Sequence, residues 1–180
     1  MQANRSTAMK LLSLVSAAAL AAVLAGCSKD RCGRGDWCSC SNGTECYQGC
    51  DDVDGCRIFC DNMVRCGATC GNDCNLDFHD ATDSSLTCGD GCHFTCHDGD
   101  TCTIHAGAKG DHTCYAMKQC TIAVGTSSRV SCSTVESCTV VCSGDCRVFC
   151  ADDVQSCGVT CDNGAAPTSC ANGSLACGPC

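Results

Sequence analysis

Large apolar side chains are scarce in this sequence outside its first 27 residues. Residues 28–180 contain only 36 of the types Ala, Val, Ile, Leu, Met, Phe, Trp and Tyr, and aromatic residues make up 4% of the chain. So few apolar groups cannot bury enough surface to stabilise an ordinary hydrophobic core. We therefore expect covalent cross-links to replace part of the missing apolar burial.

Basic residues are also few. Residues 28–180 contain 9 Lys and Arg against 20 Asp and Glu, because Arg5 and Lys10 both precede this segment. The resulting net charge near −11 has the same sign as nucleic acids and anionic headgroups, which such a surface repels. We therefore exclude nucleic acid as a partner and interpret the acidic surface as a source of solubility.

Recognisable catalytic motifs are lacking as well. The sequence contains no GxSxG, HExxH or P-loop pattern. Its richest polar run is "HDGD", from His97 to Asp100, which falls in a predicted turn where solvated polar residues are common. The sequence therefore favours a protein without enzymatic activity.

The N-terminal segment is the first feature that is present rather than missing. Arg5 and Lys10 precede the apolar stretch "LLSLVSAAALAAVLAG", and the segment ends in "LAGC" at residues 24–27. This ending resembles the lipobox of bacterial lipoproteins, in which the cysteine is lipidated and becomes the new N-terminus. The resemblance implies lipidation of Cys27 and, because Ser28 rather than aspartate follows, sorting to the outer membrane of a Gram-negative cell envelope. An ordinary cleaved signal peptide is the alternative.

Cysteine dominates what remains, with 27 residues in the chain. Export to an oxidising compartment favours disulfides over free thiols. Lipidation of Cys27 leaves 26 cysteines, an even number that can pair completely. A metallothionein-like thiolate cluster is the alternative, but only Cys38-Ser39-Cys40 has the dense spacing of such proteins.

The cysteines repeat with a period of 18 residues, as at Cys96, Cys114, Cys132 and Cys150. We divide the chain into units numbered from position 0, of which the first and the seventh contain 20 residues. The units begin at Cys40, Cys60, Phe78, Cys96, Cys114, Cys132, Cys150 and Cys170. A repeat of this length is typical of solenoids, in which each unit packs only on its neighbours.

Two segments of each unit alternate between inward and outward residues. Inward candidates lie at positions 6, 8 and 10 and again at 14, 16 and 0, with aliphatic residues such as Ile104, Ile122 and Val140 at position 8. A period of two is typical of short, half-buried strands. The sequence thus predicts an all-β fold, a flat two-sided parallel β-solenoid of about 18-residue coils rich in disulfides. An antiparallel β-meander is the alternative.

Two positions in this repeat carry further expectations. The turn position 11 holds glycine in four consecutive units, which indicates a backbone that needs a permissive residue. The inward position 16 holds His112 in one unit, next to the small residues Ala106 and Gly110. We expect His112 to be buried, neutral and hydrogen-bonded.

Cysteines are missing from the units in couples. Phe78 and Ser84 replace positions 0 and 6 of one unit, and Val124 and Ser128 replace positions 10 and 14 of another. Disulfide pairs predict such losses, since a lone partner would leave a free thiol. The expected bridges are Cys40–Cys46, Cys60–Cys66, Cys96–Cys102, Cys114–Cys120, Cys132–Cys138 and Cys150–Cys157 at one margin, and Cys50–Cys56, Cys70–Cys74, Cys88–Cys92 and Cys142–Cys146 at the other. At the ends, similar spacing suggests Cys32–Cys38 and Cys170–Cys177, which leaves Cys161 for Cys180.

The sequence therefore divides into four parts. Residues 1–27 form the lipoprotein signal peptide with Cys27, 28–39 a short tether and N-terminal cap, 40–169 the cysteine-rich β-solenoid, and 170–180 a disulfide-bonded C-terminal cap. The lipobox and C-x-V-x-C runs such as Cys138–Cys142 resemble cysteine-rich repeat lipoproteins of Gram-negative bacteria. That resemblance implies a location in the cell envelope and no activity.

Two turn columns contain candidate metal ligands. Asp80 and Asp98 belong to a column of Asx residues at position 2, and His79 and His97 stack at position 1. Stacked Asx oxygens can bind Ca²⁺, and stacked imidazoles can bind a transition metal. The other interpretation is that Asx residues favour turns because they hydrogen-bond the nearby backbone. We expect no obligatory cofactor and treat Ca²⁺ as an alternative.

Ice binding is a further alternative. The run "SCSTVESC", residues 131–138, resembles the repeats of small insect antifreeze solenoids, which need a flat array of outward threonines. Outward position 7 holds only a short ladder, formed by Ser85, Thr103, Thr121 and Thr139.

The favoured interpretation is a non-catalytic, lipid-anchored structural or interaction protein of the cell envelope. A disulfide holds two Cα atoms only about 5.5–6 Å apart, so walls riveted in this way leave no interior pocket. Function must then lie on the outer faces. The expected partners are the lipid bilayer, through the anchor, and an envelope or surface protein or a glycan.

Overall fold

The computed structural model describes residues 32–50 and 53–180, so the predicted lipidation site at Cys27 lies outside the described residues. Within this part of the chain, the structure contains no helix with the length and hydropathy that a membrane span requires.

The structure contains eleven strands in the described residues. They are β1 (Trp37–Gly49), β2 (Arg57–Cys70), β3 (Asn75–Cys88), β4 (His93–Ala106), β5 (Asp111–Gly125), β6 (Ser128–Ser133), β7 (Ser137–Ser143), β8 (Cys146–Cys150), β9 (Ser156–Cys161), β10 (Thr168–Ser169) and β11 (Leu175–Cys177).

Parallel hydrogen-bond ladders join successive coils. Strands β1 to β5 pair in order. The first part of β5 then pairs with β6, which pairs with β8. The last part of β5 pairs with β7, which pairs with β9. Equivalent cysteines face each other in register, as Cys96 does with Cys114 and Cys114 with Cys132. The predicted parallel β-solenoid of about 18-residue coils is confirmed, with about seven coils. The antiparallel meander is therefore wrong.

Two walls face each other across the core of each coil. Wall A contains the first residues of β1–β5 together with β6, β8, β10 and β11, and wall B contains the last residues of β1–β5 together with β7 and β9. Leu76, Phe94 and Val148 of wall A are buried, and so are Leu86 and Ile122 of wall B. Because alternate side chains of a strand point to opposite faces, the predicted inward positions supply this core.

Strands β1 to β5 bend around a corner without interruption, whereas the alternation predicted two separate strands per coil. The bend lies at position 2, where φ is 52° at Asn62, 52° at Asp80 and 58° at Asp98. Asparagine and aspartate adopt this left-handed conformation more readily than other non-glycine residues, which explains the Asx column. Position 3 then points inward, and Met63 and Met117 fill the corner there.

Disulfides close the coils at both margins of the walls. The ten expected intra-coil pairs are disulfide-bonded in the structure, with Cα–Cα distances of 5.9 to 6.6 Å. The pair Cys32–Cys38 before the first coil is bonded as well, at 6.0 Å. Each bridge therefore connects residues that are close in sequence and lie in the same coil.

The C-terminal end departs from the repeat. Strand β11 runs antiparallel to β8 and places Cys177 opposite Cys146, and β10 then pairs antiparallel with β11. Cys161 is bonded to Cys177 and Cys170 to Cys180. The expected bridges Cys170–Cys177 and Cys161–Cys180 are wrong, because the chain reverses direction here and adds β11 beside β8 as an antiparallel strand of wall A.

Other side chains fill the core where cysteine couples are missing. Phe78 and Ser84 are both buried, as are Val124 and Ser128. The hydroxyl of Ser128 accepts a hydrogen bond from the N–H of Gly110 at 3.2 Å. In both coils a larger apolar residue and a small serine thus replace one cystine.

Stacked glycines form the turn at the margin opposite the corner, as at Gly89, Gly107 and Gly125. The backbone is left-handed two residues later, at Gly91 and Lys109 with φ of 70° and 60°, rather than at these glycines. Gly107 instead donates its N–H to the carbonyl of Gly89 at 3.0 Å, and a Cβ there would lie 2.8 Å from the Gly89 carbonyl carbon. Glycine is required for close stacking of the coils, which differs from our expectation.

A ladder of Asx side chains runs beside these glycines. The backbone N–H of Asn72 donates to Asp54 Oδ1 at 2.7 Å, that of Asp90 to Asn72 Oδ1 at 2.8 Å, and that of Ala108 to Asp90 Oδ1 at 2.7 Å. The side chains satisfy turn N–H groups that the β-ladder does not reach. This role was not predicted, although the three Asx residues recur every 18 residues.

Candidate functional site

The outer corner of β2, β3 and β4 brings together the most polar cluster that the sequence singled out. Asp61, His79 and His97 occupy position 1 of three successive coils, and the parallel register places His79 beside each of the other two. The imidazoles of His79 and His97 stack, with centroids 4.4 Å apart and planes at 23°. The predicted histidine column is therefore a pair of rings in direct contact.

Four carboxylate contacts surround the two rings. Nδ1 of His79 lies 2.7 Å from Asp61 Oδ1, and its Nε2 lies 3.6 Å from Asp98 Oδ2. Nδ1 of His97 lies 3.1 Å from the same Asp98 oxygen, and its Nε2 lies 3.3 Å from Asp77 Oδ1. The Oδ2 atom of Asp98 thus lies between the two imidazoles. Asp61 contacts the other nitrogen of His79, and Asp77 contacts the other nitrogen of His97.

These carboxylates stabilise positive charge at the corner. The hydrogen bond that His79 donates to Asp61 raises the pKa of His79, burial opposes the shift, and the charges of Asp61, Asp80 and Asp98 add to it. The protonated form of the His79 imidazole is therefore favoured at this corner.

Three of the four predicted ligand residues converge. One ligand atom from each of His79, His97 and Asp98 lies within 4.8 Å of the other two. Asp80 is not part of this group, and contributes its charge from the preceding coil. Asp61 and Asp77 were not predicted, because their roles depend on the exact stacking of outward side chains in neighbouring coils.

The backbone conformation explains the Asx column without any bound metal. Its members carry the left-handed conformation that turns the corner, as at Asn42 with φ of 58° and Asn62 with φ of 52°. The amide Nδ2 of Asn62 donates to Asn42 Oδ1 at 2.6 Å, which extends the coil stacking to the side chains. Ca²⁺ binding by this column stays a prediction.

Wall B presents a different outer face. Ser85, Thr103, Thr121 and Thr139 lie opposite one another in neighbouring coils. The adjacent outward column contains His105, Ala123 and Val141 in register, so the row of hydroxyl groups is one residue wide there. Ice binding likewise stays a prediction.

Wall A carries exposed aromatic residues beside charged ones. Trp37 is 63% exposed at the first coil, and Phe149 is 47% exposed on β8. A surface depression of about 280 Å³ lies over Trp37 and Phe59, and another of about 380 Å³ lies over Arg129, Arg147 and Phe149. Both are lined mainly by outward residues, with buried residues such as Ile58 and Val130 at the floor, so they open on the outer surface.

Comparison of the chain with family models, with curated proteins and with solved structures finds no match. Each functional proposal therefore depends on the residues of this chain. Among residues 32–50 and 53–180, the corner cluster and the outer face of wall A carry the chemistry on which the proposals depend.

Proposed function

We propose that the protein is a non-catalytic, lipid-anchored structural or interaction protein of a Gram-negative cell envelope. The observation that supports this most directly is the filled interior. Inward positions hold cystines, apolar side chains such as Leu76, Ile104 and Val140, and a few buried polar residues such as His112. Bridged Cα atoms lie 5.9 to 6.6 Å apart across the coil margins, which leaves no width for a substrate between the walls.

The outer faces are then the surfaces that partners contact. Exposed aromatic groups such as Trp37 and Phe149 are enriched at binding surfaces because they bury a large area with few rotatable bonds. They lie near opposite ends of wall A, beside Arg57 and Arg147 respectively. Such a surface suits an envelope protein, or a glycan that stacks its sugar rings on aromatic side chains.

The proposed lipid anchor at Cys27 lies directly before the first coil in the sequence. The LAGC sequence at residues 24–27 resembles a lipobox, and only residues 28–31 separate Cys27 from the bridged Cys32. A tether of four residues spans at most about 14 Å. The first coil is therefore held close to the bilayer surface, with the solenoid as a rigid extension of the anchor.

Acyl labelling with membrane fractionation tests this proposal. The full chain is expressed in a Gram-negative host with an alkyne-tagged fatty acid, beside the variant Cys27→Ala. We expect the tag on the original protein, recovered with the outer membrane, and no tag on the variant. An untagged original protein in the soluble periplasmic fraction would overturn the anchor and the location together.

A further inference from the structure

We propose that His79, His97 and Asp98 bind one divalent transition-metal ion of the Zn²⁺, Ni²⁺ and Cu²⁺ class at the outer corner between β3 and β4. This site goes beyond the proposed structural function and does not depend on the lipid anchor. Its ligands would be one nitrogen of each imidazole and one oxygen of the Asp98 carboxylate.

The spacing of these atoms suits a tetrahedral ion. Nitrogen and oxygen ligands lie about 2.0–2.2 Å from Zn²⁺, so two ligands of one tetrahedron lie about 3.3–3.6 Å apart. The Oδ2 atom of Asp98 lies 3.6 Å from Nε2 of His79 and 3.1 Å from Nδ1 of His97. Because the two rings are stacked with planes at 23°, both side chains must turn before their lone pairs point at one ion.

The second nitrogen of each imidazole lies beside a carboxylate, and that of His79 already makes the hydrogen bond that a metal-bound histidine requires. Asp61 Oδ1 accepts from Nδ1–H of His79 at 2.7 Å, which leaves the Nε2 lone pair free to bind a metal. Nδ1 of His97 hydrogen-bonds Asp98 Oδ2 at 3.1 Å, so metal binding must move the proton to Nε2, which lies 3.3 Å from Asp77 Oδ1. Carboxylates in this position fix the tautomer and ring orientation of metal ligands and increase their basicity.

The charge at the corner is negative without an ion. Asp61, Asp77, Asp80 and Asp98 surround two imidazoles that are neutral when they bind a metal. Imidazole nitrogen selects Zn²⁺, Cu²⁺ and Ni²⁺, whereas Ca²⁺ and Mg²⁺ require oxygen ligands. The side chain of His97 is 26% exposed and that of Asp98 46%, so the fourth position of the ion faces solvent.

The backbone holds the three ligands in place. The parallel ladder pairs His79 with His97, and Asp98 follows His97 directly at the left-handed corner position, with φ of 58°. The bridge Cys96–Cys102 spans the same corner. The ladder and the bridge therefore hold the backbone of the three ligands, which leaves the side chains as the part that binding must order.

Titration with Zn²⁺ and with Co²⁺ tests the site. The oxidised protein is alkylated to block any free thiol, stripped with chelator, and titrated by calorimetry with Zn²⁺ and by visible absorption with Co²⁺. We expect one ion per chain and an absorption band typical of four-coordinate Co²⁺ with nitrogen ligands. Less than half an ion bound per chain at saturation would overturn the proposal.

Asp98→Asn is the sharpest variant, because asparagine keeps the left-handed backbone and removes only the carboxylate. We expect it and His97→Asn to lower Zn²⁺ affinity by at least a hundredfold. Asp61→Asn should weaken binding by about 10–100-fold through the orientation of His79. Circular dichroism of each variant establishes that the strands remain.

His105→Asn is the matched control, since His105 is an exposed histidine on the outer face of wall B. Its Zn²⁺ affinity should stay within twofold of the original. Equal losses in His105→Asn and His97→Asn would show unspecific surface binding and overturn the site, as would unchanged affinity in Asp98→Asn.

Discussion

The imidazole of His112 stacks on the phenyl ring of Phe94 in the preceding coil, with the ring centroids 5.2 Å apart. The side chain of His112 is fully buried, and neither ring nitrogen has a hydrogen-bond partner among the described residues. Burial lowers the pKa of His112 to about 4, although the charge of Asp111 acts in the opposite direction and that of His93 adds to the shift. The expected burial is present, and the expected hydrogen bond is not.

This histidine predicts lower stability in acid. Its folded-state pKa lies below the value of 6.5 for the unfolded chain, so the unfolded state binds an additional proton between pH 6.5 and about 4. The contribution of His112 to the free energy of unfolding should be constant above this window and fall as the pH decreases through it, by up to about 3 kcal/mol. Thermal unfolding at pH 7.5 and pH 4.5 measures the effect.

His112→Leu isolates that contribution, because Leu76 already occupies the equivalent position two coils earlier. The variant should be less destabilised than the original protein between pH 7.5 and pH 4.5. An identical loss of stability in both proteins would show that other groups cause the acid sensitivity.

The couple Phe78 and Ser84 predicts that a cystine can be restored. Both residues are buried in the places that cysteines hold in neighbouring coils, since Phe78 pairs with Cys60 and Ser84 with Cys66 across the ladder. Phe78→Cys alone should lower the free energy of unfolding by about 3 kcal/mol, because it leaves a cavity. Adding Ser84→Cys should form a bridge and recover about 2–3 kcal/mol.

Thiol titration under denaturing conditions measures whether the new bridge forms. The double variant should show no free thiol, and Ser84→Cys alone should show one per chain. Two free thiols in an otherwise folded double variant would contradict the assignment of these positions to one bridge.

We expect any side chain at the centre of the glycine stack to lower the free energy of unfolding. A Cβ at Gly107 would lie 2.8 Å from the carbonyl carbon of Gly89 and 2.9 Å from the N atom of Asp90. Gly107→Ala should therefore lower the free energy of unfolding by about 1–3 kcal/mol, because the coils must separate. Gly158→Ala is the control, since a Cβ there meets nothing within 4 Å. Equal melting temperatures for both variants would show that close stacking is not required at Gly107.

The repeat was predictable from sequence because it consists of two simple signals. Alternation with period two identifies half-buried strands, and cysteines lost in couples identify the bridges, as at Phe78 with Ser84. Both signals depend on residues that are local in sequence. The cysteine couples identify the pairing within each coil. Because the same signals return with the period of 18, they also predict the parallel register, in which every coil repeats its neighbour.

Other features depend on three-dimensional detail that the repeat does not encode. The sequence predicted a polar turn at the corner. In the structure Met63 and Met117 point inward there, because the residue directly before each of them has a left-handed backbone. The reversal of β11 onto β8 ends the solenoid, and nothing in the spacing of Cys170 and Cys177 distinguishes it from a further coil.

The candidate metal site was predictable only in part for the same reason. The columns of His79, His97 and Asp98 follow from the period of 18. The contacts of Asp61 and Asp77 depend on diagonal neighbours in the stack and on side-chain rotamers, which a repeat pattern does not specify.

Disulfide mapping tests the central claim that each coil is closed by its own cystine. Non-reduced peptides of the exported protein, analysed by mass spectrometry with fragmentation that cleaves the S–S bonds, should show bridges between cysteines four, six or seven residues apart, such as Cys88–Cys92, Cys96–Cys102 and Cys150–Cys157. At the C-terminal end they should show Cys161–Cys177 and Cys170–Cys180. Bridges that join cysteines of different coils, such as Cys60 with Cys96, would contradict the stacked-coil architecture.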